Sequence, residues 1–483
     1  MASFRAQAGR LPRRTFLALS GATLLPFGQF AMAGDRPLRD VQLVAARGQR
    51  RIAPEPHPET PVWSYNGSVP GPEIRVRQGE RLRVLVENRL EEETTVHWHG
   101  IRVPNAMDGV PHLTQPPILP GGSFVYEFDA LDAGTFWYHP HHRSSEQSGR
   151  GLAGALIVEE AEPLRVDREL TWVLDDWRLT PQAEISDDFG HPHDMSHAGR
   201  IGNTVTINGR IPDALPVRAG ERIRLRLVNV ANARVFGLEF QDHDPIVVAL
   251  DGHPVTPHRP SDGRVVLGPA MRVDLVIDMT ASPGARADVI DSFYRERAYH
   301  LVEIAYGQES LRDGAPSWPV ALAPNPLPEP QIDTAIRHEI VFGGGAMAPL
   351  VMSQMAETTR AALPAPEAMA EMMRAGRFWF LNNHPAHDHH APMLTLERDR
   401  SYVFAMTNAT AWHHPIHLHG HAFRVIARDG RATEHREWQD TVLMSPGERV
   451  DVAFVADNPG DWMLHCHVHE HHASGMMGVI RVA

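Results

Sequence analysis

The feature that most narrows the fold is a passage of sequence that recurs along the chain. Asn66-Gly67-Ser68-Val69-Pro70 precedes residues 74–88 (IRVRQGERLRVLVEN), and Asn208-Gly209-Arg210-Ile211-Pro212 precedes residues 217–229 (VRAGERIRLRLVN). A third, weaker copy spans residues 394–408 (LTLERDRSYVFAMTN). Each copy alternates apolar and polar residues about a turn, the period-two pattern of half-buried strands. Spacings of roughly 140 and then 180 residues exceed any solenoid repeat and suit duplication of whole domains. With 38 Gly and 40 Pro in 483 residues, short strands and turns are favoured over long helices. The expectation is an all-β chain of three consecutive β-sandwich domains at 38–160, 165–305 and 330–483. The Pro-rich stretch 321–330 (ALAPNPLPEP) reads as a stiff linker.

Composition removes several chemistries. All 46 basic residues are Arg, which excludes lysine Schiff bases and Walker-type phosphate loops. A net charge of −13 argues against nucleic acid as a partner. The single Cys466 permits no internal disulfide, whereas 30 His point to metal. The histidines cluster. The first domain carries His97-Trp98-His99-Gly100 and His139-Pro140-His141. The third carries His414-Pro415-Ile416-His417-Leu418-His419 and His465-Cys466-His467-Val468-His469-Glu470-His471, followed by Met476. On a strand, positions i and i+2 share a face, so each His-x-His pair offers two adjacent imidazoles. A thiolate, two imidazoles and a long Met bond make an electron-transfer copper site. Cys466, His471 and Met476 can surround one ion, with His414 arriving from a neighbouring strand.

On these four motifs the chain resembles the multicopper oxidases, the family of laccases, bilirubin oxidases and periplasmic copper-tolerance oxidases. The resemblance covers nearly all of the chain beyond its first 33 residues. It implies three cupredoxin-like Greek-key domains, four copper ions, and oxidation of a reductant coupled to four-electron reduction of dioxygen to water. By motif position, the type 1 copper takes His414, Cys466, His471 and axial Met476, and the type 2 copper takes His97 and His417. The type 3 pair takes His99, His139 and His467 on one ion, and His141, His419 and His465 on the other. Cys466 with His465 and His467 forms the electron path, and Asp108, in Asn105-Ala106-Met107-Asp108-Gly109, matches the acidic proton relay. The second domain has Val235-Phe236-Gly237-Leu238 in place of a His-x-His pair and is expected to be a metal-free spacer. Two positions depart from the family: Pro116 stands where laccase-like members often carry Cys, and His472 where copper-tolerance members often carry an acid.

Arg13-Arg14-Thr15-Phe16-Leu17, an apolar stretch and Ala31-Met32-Ala33 read as a twin-arginine signal over residues 1–33. They imply export to the periplasm and no membrane segment after cleavage. A monomer is expected. The reductant is cuprous ion or a small phenolic, with electrons entering at an exposed edge of His414 or His471. Met347, Met352, Met355, Met369, Met372, Met373 and Met393 form one candidate copper-binding segment, with His384, His387, His389 and His390 beside it. His191, His193, Met195 and His197 form another. The bland alternative for Met369, Met372 and Met373 is a packed helix face, since i, i+3, i+4 spacing is core spacing. The competing function is a periplasmic copper store or chaperone without turnover, which needs no thiolate site joined to a cluster.

Overall fold

The computed structural model describes residues 36–353, 355–382 and 391–483. The signal segment 1–33 and His384, His387, His389 and His390 lie outside the described residues. Among the described residues, six sheets lie between Leu38 and Val482, two for each third of the chain. In the first third, a four-stranded sheet of Leu38–Arg50, Thr60–Tyr65, Arg81–Asn88 and Ser123–Asp129 faces another. The second consists of Ile74–Arg77, His97–His99, Gly134–His139 and Gly154–Glu159. Sheets of six and five strands follow between Arg168 and Ser310, then sheets of seven and five between Ile336 and Val482. Every sheet contains one parallel strand pair among antiparallel ones. A hairpin cannot make such a pair, so the chain crosses between the sheets of each sandwich. Each sandwich closes on its own apolar core. The architecture is the all-β, three-sandwich one expected.

The recurring text is the crossing itself. Ile74–Arg77 with Arg81–Asn88, Ala214–Ala219 with Arg222–Asn229, and Leu394–Leu396 with Ser401–Asn408 each place one strand in either sheet. The turn between them needs a left-handed residue. Gly79 (φ 86°) and Gly220 (φ 81°) supply it, and Asp399 (φ 60°) takes that place in the third copy.

Each copy also ends on a buried asparagine, Asn88, Asn229 or Asn408. In all three the side-chain oxygen accepts the backbone N–H two residues on: Leu90, Ala231 or Thr410. The amide donates to one carbonyl of the following loop, Glu92, Arg234 or Trp412, and to one of a distant segment, Ile118, Leu267 or Ser445. The asparagine therefore fixes the loop that leads to the next strand. Those strands are His97–His99, Phe236–Phe240 and His414–Leu418. In the second domain Phe236 and Leu238 enter the core where the others carry histidine.

The linker 321–330 has no helix or strand, and Asn325 clamps it to Ala133 through both backbone groups at 2.8 and 2.9 Å. Among the described residues no helix is long and apolar enough to cross a membrane.

Replacing Asn229 by Ala strands two buried carbonyls and one N–H, at roughly 1–3 kcal/mol for each group left unpaired. The thermal midpoint of Asn229→Ala should fall by several degrees; an unchanged midpoint would show that the loop holds itself.

Candidate metal centres

Eight histidines converge between the first and third sandwiches. Strand His97–His99 pairs with Gly134–His139 so that His97 lies opposite His139. Strand His414–Leu418 pairs with Gly460–Cys466 so that His417 lies opposite His465 and Ile416 opposite Cys466. The two ladders meet ring on ring: His97 stacks on His419 at 4.0 Å and His99 on His417 at 3.8 Å. All eight rings, with His139, His141 and His467 completing the set, are at most 6% exposed. Three-residue sets whose donor atoms lie within 4.8 Å of one another include His97–His417–His419, His97–His99–His139 and His141–His419–His465.

The chemistry is in how the nitrogens divide. The Nδ1–H groups of His97, His139, His417 and His465 reach the carbonyls of Asp108, Pro140, Asp440 and Cys466 at 2.8–3.0 Å. The Nδ1 of His419 bonds to the Asp108 carboxylate at 2.9 Å. His99 is tied through Nε2 to Asp440 and Thr441, both at 3.1 Å. The opposite nitrogens, His97 Nε2, His99 Nδ1, His139 Nε2 and His417 Nε2, are buried with no partner. His419 Nε2 and His465 Nε2 face each other at 2.9 Å. Tying one nitrogen fixes ring orientation and leaves the other as a lone pair, the arrangement metal-binding histidines use. Buried orphan acceptors otherwise cost free energy, so this donor set fits metal ions.

A second set lies in the third domain. Cys466 Sγ is 3.4 Å from His414 Nδ1 and 3.6 Å from His471 Nδ1, and those nitrogens are 3.1 Å apart. Met476 is fully buried in the same apolar cluster, its carbonyl accepting the Cys466 N–H at 3.0 Å. Thiolate, imidazole and thioether together favour copper. Burial pushes the Cys466 thiol well above its ordinary range, so a metal is what makes its thiolate accessible near neutral pH.

The expectation of an exposed edge on His414 or His471 is corrected: neither ring is exposed. His414 Nε2 bonds to Thr410 Oγ1 at 2.7 Å, and His471 Nε2 donates to the His197 carbonyl at 2.6 Å. Trp379 covers the His471 ring at 4.2 Å. His197 follows the short helix Pro192–Ser196 of the second domain, where its ring stacks on His193 at 4.0 Å. Met369, Met372 and Met373, on helix Pro366–Arg374, pack against Val341, Leu363 and Phe380. This is the packed-face alternative for those three.

Sequence reading missed the residues that hold the cluster. Asp440 receives His99 and, through its carbonyl, His417, while Arg272 of the second domain grips its carboxylate at 2.9 and 2.5 Å. Burial alone would raise the Asp440 carboxyl, but Arg272 and the neighbouring histidines hold it well below the usual range. Nothing in the stretch Trp438-Gln439-Asp440-Thr441-Val442 marked the acid, and nothing local marks Arg272. Gly100 gives the pair room, since a Cβ there would strike both Arg272 and Asp440.

Family models described as multicopper oxidase match residues 47–163, 168–286 and 358–483. Multicopper oxidase MmcO of Mycobacterium tuberculosis is 32% identical over 445 residues, 86% of this chain and 81% of that protein. A crystal structure of a multi-copper oxidase from Pseudomonas thermotolerans is 34% identical, with a TM-score of 0.80, covering 93% of this chain and 100% of that one. A multicopper oxidase from Campylobacter jejuni, titled a metallo-oxidase, is 27% identical, with a TM-score of 0.74 and coverage of 92% and 91%.

Burial lowers the histidine pKa values, to about 3 at His471, about 4 at His253, and well below the ordinary value at His139, His414 and His465. The unfolded chain takes up these protons as pH falls through about 6.5, and the folded chain does not. This contribution is complete above that pH and is lost as pH drops toward the folded values. The thermal midpoint of metal-free protein should therefore fall steadily from pH 7 to pH 5, and a flat or rising profile would contradict neutral burial.

Proposed function

This chain belongs to the multicopper oxidase family, and from that premise we propose which residues hold copper and which reductant reaches them. Copper, when bound, supplies one-electron redox chemistry at the thiolate site and reduction of dioxygen to water at the histidine cluster. His414, Cys466, His471 and Met476 would hold the type 1 ion, and His97 and His417 the type 2 ion. His99, His139 and His467 hold one type 3 ion and His141, His419 and His465 the other, giving four ions per chain. The carrying observation is the division of nitrogens, one anchored to the protein and the other left as a buried lone pair. Cys466 lies between His465 and His467 in sequence, so the chain itself joins the two sites covalently. The domains are taken as 38–160, 165–305 and 330–483, and the protein as a monomer exported to the periplasm by a twin-arginine signal removed near residue 33.

Asp108 orients and relays. Its carbonyl anchors His97 and its carboxylate anchors His419, which places a proton-exchanging group against the cluster without exposing it. As a general acid–base group it is worth roughly 10²–10⁴ in rate.

The reductant is cuprous ion in preference to a phenol, in keeping with a role in copper tolerance. With Trp379 on the His471 face and the His197 carbonyl on its Nε2, an aromatic ring has no direct contact with either imidazole. Outward of that carbonyl the His193 and His197 rings stack on each other, imidazoles beside which a copper ion can dock.

Metal analysis should give about four copper ions per chain with a blue absorption. Cys466→Ser should abolish that absorption and turnover, and Asp108→Asn should keep copper yet slow turnover by about 10²-fold or more. Zinc in place of copper, or an unaffected Asp108→Asn enzyme, would sink the corresponding assignment. The His193→Ala/His197→Ala double variant should slow cuprous oxidation while keeping its blue absorption. Equal rates in the two proteins would place the docking site elsewhere.

A further inference from the structure

A ninth imidazole sits among the eight. His469 opens the short helix His469–Ala473, its backbone N–H donating to the Asn232 carbonyl at 3.2 Å. Its ring is 2% exposed. It lies near-parallel to His139 at 5.9 Å and 5.0 Å from His467. Donor atoms of His139, His467 and His469 fall within 4.8 Å of one another, just as those of the other sets do.

A backbone hydrogen-bonding group of Ser144 interacts with the ring, but no bond of full geometry reaches Nδ1 or Nε2, and both nitrogens of His467 are likewise without one. A leucine would fill this space without burying a polar edge, whereas a neutral imidazole with nothing to bind is costly there. Two imidazoles bound to one ion at about 2.0–2.1 Å have donor atoms up to roughly 4 Å apart. A shift of under about 1 Å therefore brings His469 into range.

We propose that His469 is a further imidazole donor to the metal ion held between His139 and His467, one donor beyond the twelve assigned above. The proposal rests on the copper assignment made for that cluster. His469 also lines, with His141, His472 and Met195, a solvent-connected cavity of about 320 Å³. A donor at that wall occupies the side from which a small anion reaches the ion, so His469 both retains the metal and competes with incoming ligands.

The test compares copper-loaded wild type with His469→Leu and His469→Gln, using blue absorption as evidence that the third domain is folded. Even residues one step removed from a metal shift its affinity by about 10–100-fold. Both variants should surrender one copper ion to EDTA at a concentration at least about tenfold lower than wild type. Both should also bind azide more tightly, because a competing donor is gone. Copper retention and azide affinity within twofold of wild type, in whichever variant shows blue absorption, would make His469 a packing residue and overturn the proposal. Loss of blue absorption in both variants would also overturn it, since His469 would then be supporting the thiolate site. A wild-type protein that fails to retain cluster copper would instead overturn the underlying assignment.

Discussion

A buried ion pair between Arg272 and Asp440 holds the three sandwiches in register at the histidine cluster. The guanidinium comes from the second domain, the carboxylate from the third, and Arg272 Nε also donates to the Thr135 carbonyl of the first at 3.1 Å. Neither side chain is more than 1% exposed. Ion pairs taken this far from water contribute little net stability, but removing one partner strands a charge at a cost of about 3–5 kcal/mol. The pair therefore acts mainly on position: it fixes the oxygens that receive His99, Thr441 and, through the backbone, His417. Asp251 completes the knot by accepting the backbone N–H groups of Arg272 and Thr441 at 2.9 and 3.1 Å.

Around this knot the cluster is prepared at a cost. Neutral imidazoles are packed against one another with lone pairs inward, and a thiol is buried where its ionisation is strongly disfavoured. Such a centre is poorly satisfied on its own, and metal binding returns the free energy as stability of the folded state. The burial that makes the metal-free centre costly also keeps the rings unprotonated, so ligation does not compete with protons until the pH is low.

What was readable in the sequence was what obeys local rules. Alternation around Gly79 and Gly220 marked the crossing strands, and the i, i+2 histidines marked strands with one face committed to chemistry. The asparagines ending each copy were visible as text, but their role depends on carbonyls such as Ile118 and Leu267, some 30 to 38 residues away. Arg272 was illegible for a stronger reason. It looks like any strand arginine, and its partner is 168 residues distant in another domain. His469 was visible within its motif, but its orphaned nitrogens follow from the packing of His139 and Ser144. The inaccessibility of His471 likewise comes from Trp379 and His197, which belong to separate domains.

These long-range contacts change the meaning of the second domain. Its sequence, with Phe236 and Leu238 where the others carry histidine, reads as a spacer. Yet it sends Arg272 to the back of the cluster and the His197 carbonyl to the outer nitrogen of His471. The first contact sets the orientation of His99 and His417. The second occupies the edge through which a reductant could otherwise touch the thiolate site, and replaces direct contact with a hydrogen bond to a backbone that ends in the stacked rings of His193 and His197. A domain with no histidine pair of its own thus orients one centre and restricts access to the other. Its metal-facing positions carry no imidazole pair, and its part in the chemistry is carried instead by contacts such as those of Arg272 and the His197 carbonyl.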